Sequence, residues 1–311
     1  MKVYRNIDDF RPVPNTVVTI GTFDGVHTGH QVILDRVKQL AGEINGSSVI
    51  ITFNPHPQKV LHPEEKNIFV LNTVEEKTEL IRKNGIDHLI ILPFTKEFAS
   101  VSYLDFIKNI LIDKLKVSRL VIGYDHHFGK DREGQLQHLQ EYGKKFNFKV
   151  EEVKAQKIED TAISSTKIRK ALMVGDLITA NKFLGYYYSF RGQVVKGDEI
   201  GGTIGFPTAN LLPDDSAKLI PGDGIYAALA EFKGKTYKGM LYIGMRSTLN
   251  GTKRVIEINI FNFDKNIYSE FLNVICIEKL RDEIKFSGLD KLKEQLLRDK
   301  ENAEKILSTI A

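Results

Sequence analysis

Two hydrophobic patterns alternate along the first half of the chain. Short runs of β-branched and apolar residues are separated by longer segments in which apolar residues recur every three or four positions. The strand-like runs are TVVTI (16–20), SSVIITF (47–53), HLIILPF (88–94), RLVIG (119–123) and FKVEEV (148–153), and the helical segments are 30–44, 73–85, 102–115 and 134–147. This alternation predicts an α/β domain whose parallel sheet is covered by helices and binds ligands beyond the carboxyl ends of its strands.

The pattern changes near Gly185 and Tyr186. Many short strands follow, joined by Gly, Asp and Pro turns: FRGQVV, YAALAEF, KTYKGMLYI, RVIEINIFNF and FLNVICIEKL. They predict an antiparallel barrel or sandwich. The last segment, 289–310, has helical spacing, and Leu292, Leu296, Leu297 and Ile306 form its predicted inward stripe. We therefore predict two domains, 1–185 and 186–311.

Composition and charge narrow the class of protein. The 311 residues include 44 basic and 40 acidic side chains, a net charge of +4. This near balance disfavours a nucleic-acid groove, which needs a clustered basic excess. The single cysteine, Cys276, excludes an internal disulfide, and we interpret it as a buried apolar residue. The sequence contains no signal-peptide core and no span of bilayer length, so we expect a cytoplasmic protein without membrane contact.

The stretch GTFDGVHTGH (21–30) follows the first predicted strand and opens the first predicted helix. A helix N-terminus presents unpaired amides and a partial positive charge, which suit a phosphate group. Glycines at 21, 25 and 29 let the backbone approach an anion, and His27 and His30 can donate hydrogen bonds to it. The alternative is a pair of solvated turn histidines. Asp24 has two equally supported roles, a ligand or metal contact and a cap of the turn.

Three further polar stretches lie at strand ends or helix starts. They are TFNPHPQ (52–58), GYDHHFGKDREG (123–134) and AISSTKIRKAL (162–172). The last has the form of a serine-capped helix start carrying Lys167 and Arg169, which predicts a second anion site. Four polar clusters at strand ends or helix starts are hard to explain by core packing.

In order and spacing, these four motifs resemble the adenylyltransferase module of bacterial FAD synthetase, a Rossmann-like nucleotidyltransferase domain. The resemblance implies that ATP is a substrate and that His27, His30 and Arg169 act in catalysis. It further implies a nucleotide-binding set and a flavin-binding set. The nucleotide set is Gly21, Phe23, Asp24, Gly29, Ser164, Ser165 and Thr166; the flavin set is Asn54, Pro55, His56, Asp125 and Phe128. Two departures from the family pattern, His126 and Thr95, fall near the expected flavin or adenine pocket.

The second informative segment is KGDEIGGTIGFPTANL (196–211). A glycine-rich flap can fold closely over a nucleotide. Thr208 and Asn210 offer a hydroxyl and an amide oxygen, which are hard ligands suited to Mg²⁺. A plain glycine hairpin ending in a proline is the structural alternative.

One carboxylate stands out in the barrel-like half. In RVIEINIFNF, strand alternation places Glu257 on the face of Val255 and Asn259. Such a residue can be part of a solvated strand face. It can also be a general base, which phosphoryl transfer to an alcohol requires.

GGTIGFPTANL, GIYAA, GTKRVIEINIFNF and RDEIKF resemble riboflavin kinase over about 186–311. The family fold is a six-stranded Greek-key β-barrel with a terminal helix. The resemblance implies that Thr208 and Asn210 bind the Mg²⁺-nucleotide and that Glu257 is the kinase base. It also implies that Gly202, Gly205 and Pro207 contact nucleotide and that Arg281 contacts flavin. Ser247 departs from the pattern, since the family has a proline at that position.

Together the two resemblances imply a bifunctional enzyme that phosphorylates riboflavin to FMN and then adenylylates FMN to FAD. Its ligands would be riboflavin, FMN, FAD and ATP with Mg²⁺, and we expect a monomer or weak oligomer that binds no nucleic acid. Two other hypotheses stay open on the sequence alone. One is a nucleotidyltransferase acting on another phosphate, and the other is a flavin-binding regulator without turnover.

Overall fold

The computed structural model describes residues 1–65, 68–124, 136–154, 157–158, 161–197, 200–248 and 251–310. The chain forms two compact units, Met1–Ser165 and Thr166–Ala311. The sequence predicts a division at 185/186, within the second unit, and that domain boundary stays a prediction.

The first unit is built on a six-stranded parallel sheet of order β1-β4-β3-β2-β5-β6. Its strands are Lys2–Tyr4 (β1), Thr16–Ile20 (β2), Ser47–Asn54 (β3), His88–Pro93 (β4), Val117–Gly123 (β5) and Lys149–Val153 (β6). The five strands expected from the sequence are all present. The pattern missed β1, which is three residues long and pairs in parallel with β4 at the edge of the sheet.

Helices cover both faces of this sheet. They are Thr28–Glu43 (α1), Pro57–Leu61 (α2), Val74–Lys83 (α3), Lys96–Ala99 (α4), Tyr103–Asp105 (α5), which continues as the π-helix Phe106–Lys114, and Leu136–Phe146 (α6). A 3₁₀ turn, Ile7–Asp9, precedes β2, and the short strands Lys157–Ile158 (β7) and Thr161–Ala162 (β8) form a hairpin after β6.

Alternate strand residues belong to different hydrophobic clusters. Val18 and Ile20 of β2 pack in a cluster with Phe106 of the π-helix and Leu139 of α6. Val17, on the other face, packs with residues of α1. This period of two explains why the central strands are apolar throughout, since both faces of a helix-covered sheet are buried.

The second unit begins with helix α7, whose full span is Ser165–Met173, and continues with α8 (Leu177–Leu184). A closed antiparallel barrel follows, in the order β10-β13-β12-β11-β14-β9. Its strands are Ser189–Val195 (β9), Ala209–Pro213 (β10), Gly224–Phe232 (β11), Lys235–Thr248 (β12), Gly251–Ile260 (β13) and Phe271–Arg281 (β14). The six-stranded barrel confirms the expected fold, and closure leaves no open sheet edge.

Two helices complete this unit, Ile200–Thr203 (α9) and Leu289–Ser308 (α10). The predicted inward stripe of α10 is partly wrong, because Leu297 is exposed. The buried positions are instead Asp299, Ala303 and Leu307. These three residues are four positions apart and therefore share one helical face. A pattern of apolar residues cannot predict that Asp299 is buried.

Candidate active sites

The turn between β2 and α1 forms the first candidate site. A β-turn runs from Phe23 to Val26, closed by a hydrogen bond of 3.2 Å from the Val26 amide to the Phe23 carbonyl. Gly25 occupies its third position with φ +90°, a conformation that favours glycine. The chain then reaches His27, the N-cap of α1. The sequence thus folds the glycine-rich stretch into a loop that ends at the N-terminus of α1.

His27 and His30 form a stacked pair at this helix start. Their ring centroids are 3.6 Å apart with an interplanar angle of 15°. Nδ1 of His27 accepts a hydrogen bond from the backbone amide of His30 at 3.3 Å, which caps the first turn. Nδ1 of His30 is buried and has no hydrogen-bond partner among the described residues. The alternative of two solvated turn histidines is therefore wrong, since His27 is buried as well.

The environment of His30 disfavours its charged form. Burial lowers its pKa well below the ordinary value, and the nearby His27 and Lys77 lower it further. At neutral pH His30 is therefore a neutral imidazole, which has one N–H donor.

Asp24 makes a structural contact outside its own turn, which the sequence did not predict. Its side chain is 1% exposed. Its Oδ1 accepts hydrogen bonds from the backbone amides of Leu71 at 2.9 Å and Asn72 at 3.2 Å. The carboxylate therefore ties the turn to the segment before α3. The ligand or metal role and the cap of its own turn, the two roles that the sequence left open, both stay predictions.

The motif AISSTKIR meets this turn through Ser165. Its Oγ donates a hydrogen bond of 2.7 Å to the backbone carbonyl of Asp24. Ser165 is also the first residue of α7, so Thr166 and Arg169 lie within the first turns of that helix, preceded by Ser164. The structure thus brings the two motifs together at Ser165, although they are separated by more than a hundred residues.

The expected flavin residues of the first unit follow β3. Asn54 is the last residue of β3, which pairs directly with β2, and the Asn54–Pro55 peptide bond is cis. His56 caps α2, its Nδ1 accepting from the Gln58 amide at 3.3 Å. Thr95, one of the two departures from the family pattern, is the N-cap of α4. Asp125, His126 and Phe128 lie outside the described residues, so their predicted roles stay predictions.

The barrel brings the three predicted kinase residues together. Antiparallel pairing of β10 with β13 sets Asn210 directly opposite Glu257, so both side chains lie on one face of the sheet. The Thr208 hydroxyl donates to Oε2 of Glu257 at 3.3 Å. Glu257 is 4% exposed, which rules out the solvated strand face.

Sequence reasoning missed a charged partner of Glu257. Arg246, on β12, forms an ion pair with it: Nη2 donates a hydrogen bond to Oε2 at 3.0 Å, and Nη1 lies 2.9 Å from Oε1. This charge-assisted contact holds the carboxylate in place. In the sequence, Arg246 stands in YIGMRSTLNG beside Ser247, whose side chain lies outside the described part of the structure.

The glycine-rich flap packs closely on this cluster at one point. A Cβ on Gly197 would lie 2.0 Å from Nδ2 of Asn210, so a larger residue there would displace the Asn210 side chain. Gly205 has φ +85°, whereas Gly202 faces open space. The Pro207 carbonyl accepts a hydrogen bond of 2.6 Å from the Asn259 side chain, which anchors the start of β10.

The donor set of this cluster suits Mg²⁺. It contains a hydroxyl, an amide oxygen and a carboxylate, all hard oxygen ligands, and Mg²⁺ is commonly bound by one or two carboxylates together with substrate phosphates. Among the described residues there is no group of three His, Cys, Asp or Glu side chains that could hold a metal by itself. The residues therefore fit an ion that arrives with a nucleotide.

Arg281 has a structural partner in place of the expected open flavin contact. Its guanidinium pairs with Asp299 of α10, with Nη2–Oδ2 at 2.6 Å. Nη1 donates to the carbonyl of Asp282 at 3.0 Å. The flavin contact stays a prediction, and the geometry supports a role in fixing α10.

Among the described residues, no helix is both long and apolar enough to cross a bilayer.

The first unit combines a parallel sheet with a glycine-rich turn at a helix N-terminus, and the second is a barrel with a Thr–Asn–Glu cluster. These features are typical of a nucleotide-using protein with two sites. Comparison with known proteins agrees: residues 11–167 match the FAD synthetase family and residues 184–307 match the riboflavin kinase family. The chain belongs to the bifunctional riboflavin kinase/FMN adenylyltransferase family.

Relatives that carry this name resemble the chain over most of its length. The protein from Listeria monocytogenes is 38% identical over 289 residues, covering 93% of this chain and 91% of the relative. That from Buchnera aphidicola subsp. Schizaphis graminum is 37% identical over 316 residues and covers 100% of both chains. A crystal structure from Streptococcus pneumoniae, named a macrolide-efflux protein, has a TM-score of 0.89 and 32% identity, covering 97% of this chain and 98% of its own.

Proposed function

We propose that the chain catalyses two successive transfers from ATP. It phosphorylates riboflavin to FMN and then adenylylates FMN to FAD with release of pyrophosphate. The observation that carries this proposal is that each of the two family matches coincides with a separately built site in its own part of the chain. ATP is a substrate of both reactions, and riboflavin, FMN and FAD are the flavin ligands.

The barrel carries the kinase reaction. A hydroxyl oxygen of riboflavin attacks the γ-phosphorus of ATP, the bond to the bridging oxygen breaks, and ADP leaves. Glu257 accepts the hydroxyl proton, because an alcohol is too weak an acid to lose it unaided. The ion pair with Arg246 holds the Glu257 carboxylate in place. Thr208 and Asn210 would hold Mg²⁺, which would neutralise phosphate charge, while Gly202, Gly205 and Pro207 belong to the flap over the nucleotide.

The parallel-sheet unit carries the adenylyl transfer. A phosphate oxygen of FMN attacks the α-phosphorus of ATP, and pyrophosphate leaves. The nucleophile is already an anion, so the site must align two charged groups rather than remove a proton. His27, His30 and the first amides of α1 donate to the phosphates. Ser165, Thr166 and Arg169 act from the start of α7.

The remaining assignments belong to the same proposal. Asn54, Pro55 and His56 contact the flavin of FMN, together with Asp125 and Phe128. Domain 1–185 carries the adenylyl transfer and domain 186–311 the kinase reaction. As part of this proposal, the enzyme works in the cytoplasm as a monomer or weak oligomer.

A time course tests both activities together. Purified protein is incubated with riboflavin, ATP and Mg²⁺, and riboflavin, FMN and FAD are separated by chromatography. We expect FMN first and FAD later. Absence of turnover from both riboflavin and FMN would refute the proposal in favour of a flavin-binding protein, whereas FMN without FAD would point to another substrate for the first site.

Two variants assign the sites, and each serves as a folding control for the other. Glu257→Gln should stop FMN formation and leave conversion of FMN to FAD intact, because the amide cannot accept the proton. His27→Ala should have the opposite effect. If either variant is folded and has lost both reactions, the assignment of one reaction to each site is wrong.

A further inference from the structure

A buried lysine lies next to the turn between β2 and α1. Lys77 is on α3 and is 6% exposed. Its Nζ donates hydrogen bonds to the Thr22 carbonyl at 2.7 Å and to Oγ1 of Thr52 at 3.4 Å. Both acceptors are neutral, and no carboxylate of the described residues lies within ion-pair distance of Nζ. Burial lowers the pKa of Lys77, and the nearby negative charge of Asp24, which is beyond ion-pair distance, partly opposes that shift.

Packing alone does not call for a cation at this position. Val74 and Ile81 share the same helical face of α3, three residues before and four residues after Lys77, and both belong to an apolar cluster. An apolar side chain would fill such a position without desolvating a charge, and lysine is rarely buried unless it is paired. The charge therefore has to be explained by what it does to the turn.

The lysine fixes the orientation of one peptide group. Thr22 O accepts hydrogen bonds from Lys77 and from Oγ1 of Thr52, the latter at 3.1 Å. The Thr22–Phe23 peptide bond is trans, so its N–H points away from its carbonyl. The Phe23 amide is thus directed away from Lys77, and it donates to none of the described residues. Two hydrogen bonds hold the carbonyl on one side and leave a free donor on the other.

We propose that Lys77 is a positioning residue for adenylyl transfer, which fixes the Thr22 carbonyl so that the Phe23 amide faces the ATP polyphosphate and places a positive charge behind it. The inference rests on the proposed function of the first site. Preorganised donors of this kind act without reorganisation cost when charge develops on a leaving phosphate. The nearby charge also helps to keep His30 neutral.

Two substitutions separate charge from packing. Lys77→Met retains the length and apolar stem of the side chain but removes the ammonium, and Lys77→Arg retains a cation. Lys83→Met is the matched control, because Lys83 is an exposed residue of the same helix. FMN-to-FAD conversion is measured as a function of ATP concentration, and riboflavin-to-FMN conversion reports on the folding of the rest of the chain.

We expect Lys77→Met to lower kcat/KM for ATP in adenylyl transfer by about 10²-fold, as the loss of one preorganised donor does. Kinase activity should not fall, because Lys77 lies in the first unit and the cluster of Thr208, Asn210 and Glu257 lies in the second. Lys77→Arg should restore part of the loss, and Lys83→Met should behave as the unmodified enzyme. The ring signals of His30, followed by NMR, should titrate at higher pH in Lys77→Met.

Each other outcome has a defined meaning. Adenylyl transfer by Lys77→Met within about threefold of the unmodified enzyme would overturn the inference and leave the proposed function standing. Failure of the unmodified enzyme to make FAD from FMN would overturn the proposed function and the inference with it. If Lys77→Met also loses kinase activity, Lys77→Gln is tested by the same criterion. Loss of both reactions in both variants would assign Lys77 to folding and refute the proposal.

Discussion

The ion pair between Arg281 and Asp299 gives the sharpest test of the barrel structure. Nε of Arg281 lies 3.0 Å from both carboxylate oxygens, and Nη2 lies 2.6 Å from Oδ2. Gln295 adds a hydrogen bond of 2.9 Å to Oδ1. The pair fastens α10 to the end of β14. We predict that Arg281→Met destabilises the second unit.

The different burial of the two side chains determines how much stability each substitution removes. The Asp299 side chain is 2% exposed, whereas that of Arg281 is 18% exposed. Arg281→Met leaves the buried carboxylate with Gln295 as its one remaining side-chain partner among the described residues. Breaking a buried pair in this way costs about 3–5 kcal/mol. At about 2–4 °C per kcal/mol for a unit of this size, the unfolding temperature should fall by roughly 6–20 °C. Asp299→Asn should cost less, because the guanidinium it leaves can reach water.

Thermal unfolding and riboflavin kinetics together distinguish a structural role of Arg281 from a flavin contact. The double variant Arg281→Met/Asp299→Leu should recover much of the lost stability, because apolar residues often replace a buried pair at little cost. Where Arg281→Met is still folded, the KM for riboflavin should be near that of the unmodified enzyme. An unchanged unfolding temperature combined with a strongly raised KM would refute this reasoning and support the flavin contact implied by the family resemblance.

Three further predictions concern single groups. Asp24→Ala should destabilise the first unit by about 2–4 kcal/mol in denaturant unfolding, because two buried amides lose their acceptor. Gly197→Ala should abolish kinase activity and spare adenylyl transfer, since its Cβ would collide with the Asn210 side chain. The lowered pKa of His30 means that the unfolded chain takes up a proton first as pH falls, so stability present above pH 6.5 should decline below it, and His30→Gln should reduce that slope in thermal scans.

The sequence determined most of the fold. Continuous apolar runs identified five of the six parallel strands, because strands that are buried on both faces carry no alternation of polar and apolar residues. Helical spacing identified the helices between them. The change of pattern indicated an antiparallel barrel or sandwich, and the resemblance to riboflavin kinase implied the barrel. The glycine spacing in GTFDGVHTGH and the string PTAN located both candidate sites. Glycine indicates a close approach of the backbone to a ligand, and Thr and Asn supply hard oxygen ligands, so the residue types alone are informative.

Tertiary structure alone decided which polar groups meet. Lys77 lies behind the turn, Arg246 pairs with Glu257, and Asp24 binds amides 47 and 48 residues away along the chain. A signal for Lys77 existed, a cation on the apolar face of α3, but it did not specify the partner. Hydrophobic periodicity records how deeply a position is buried and not which distant group it contacts. That choice follows from sheet order and barrel closure, which set the neighbours of every strand end.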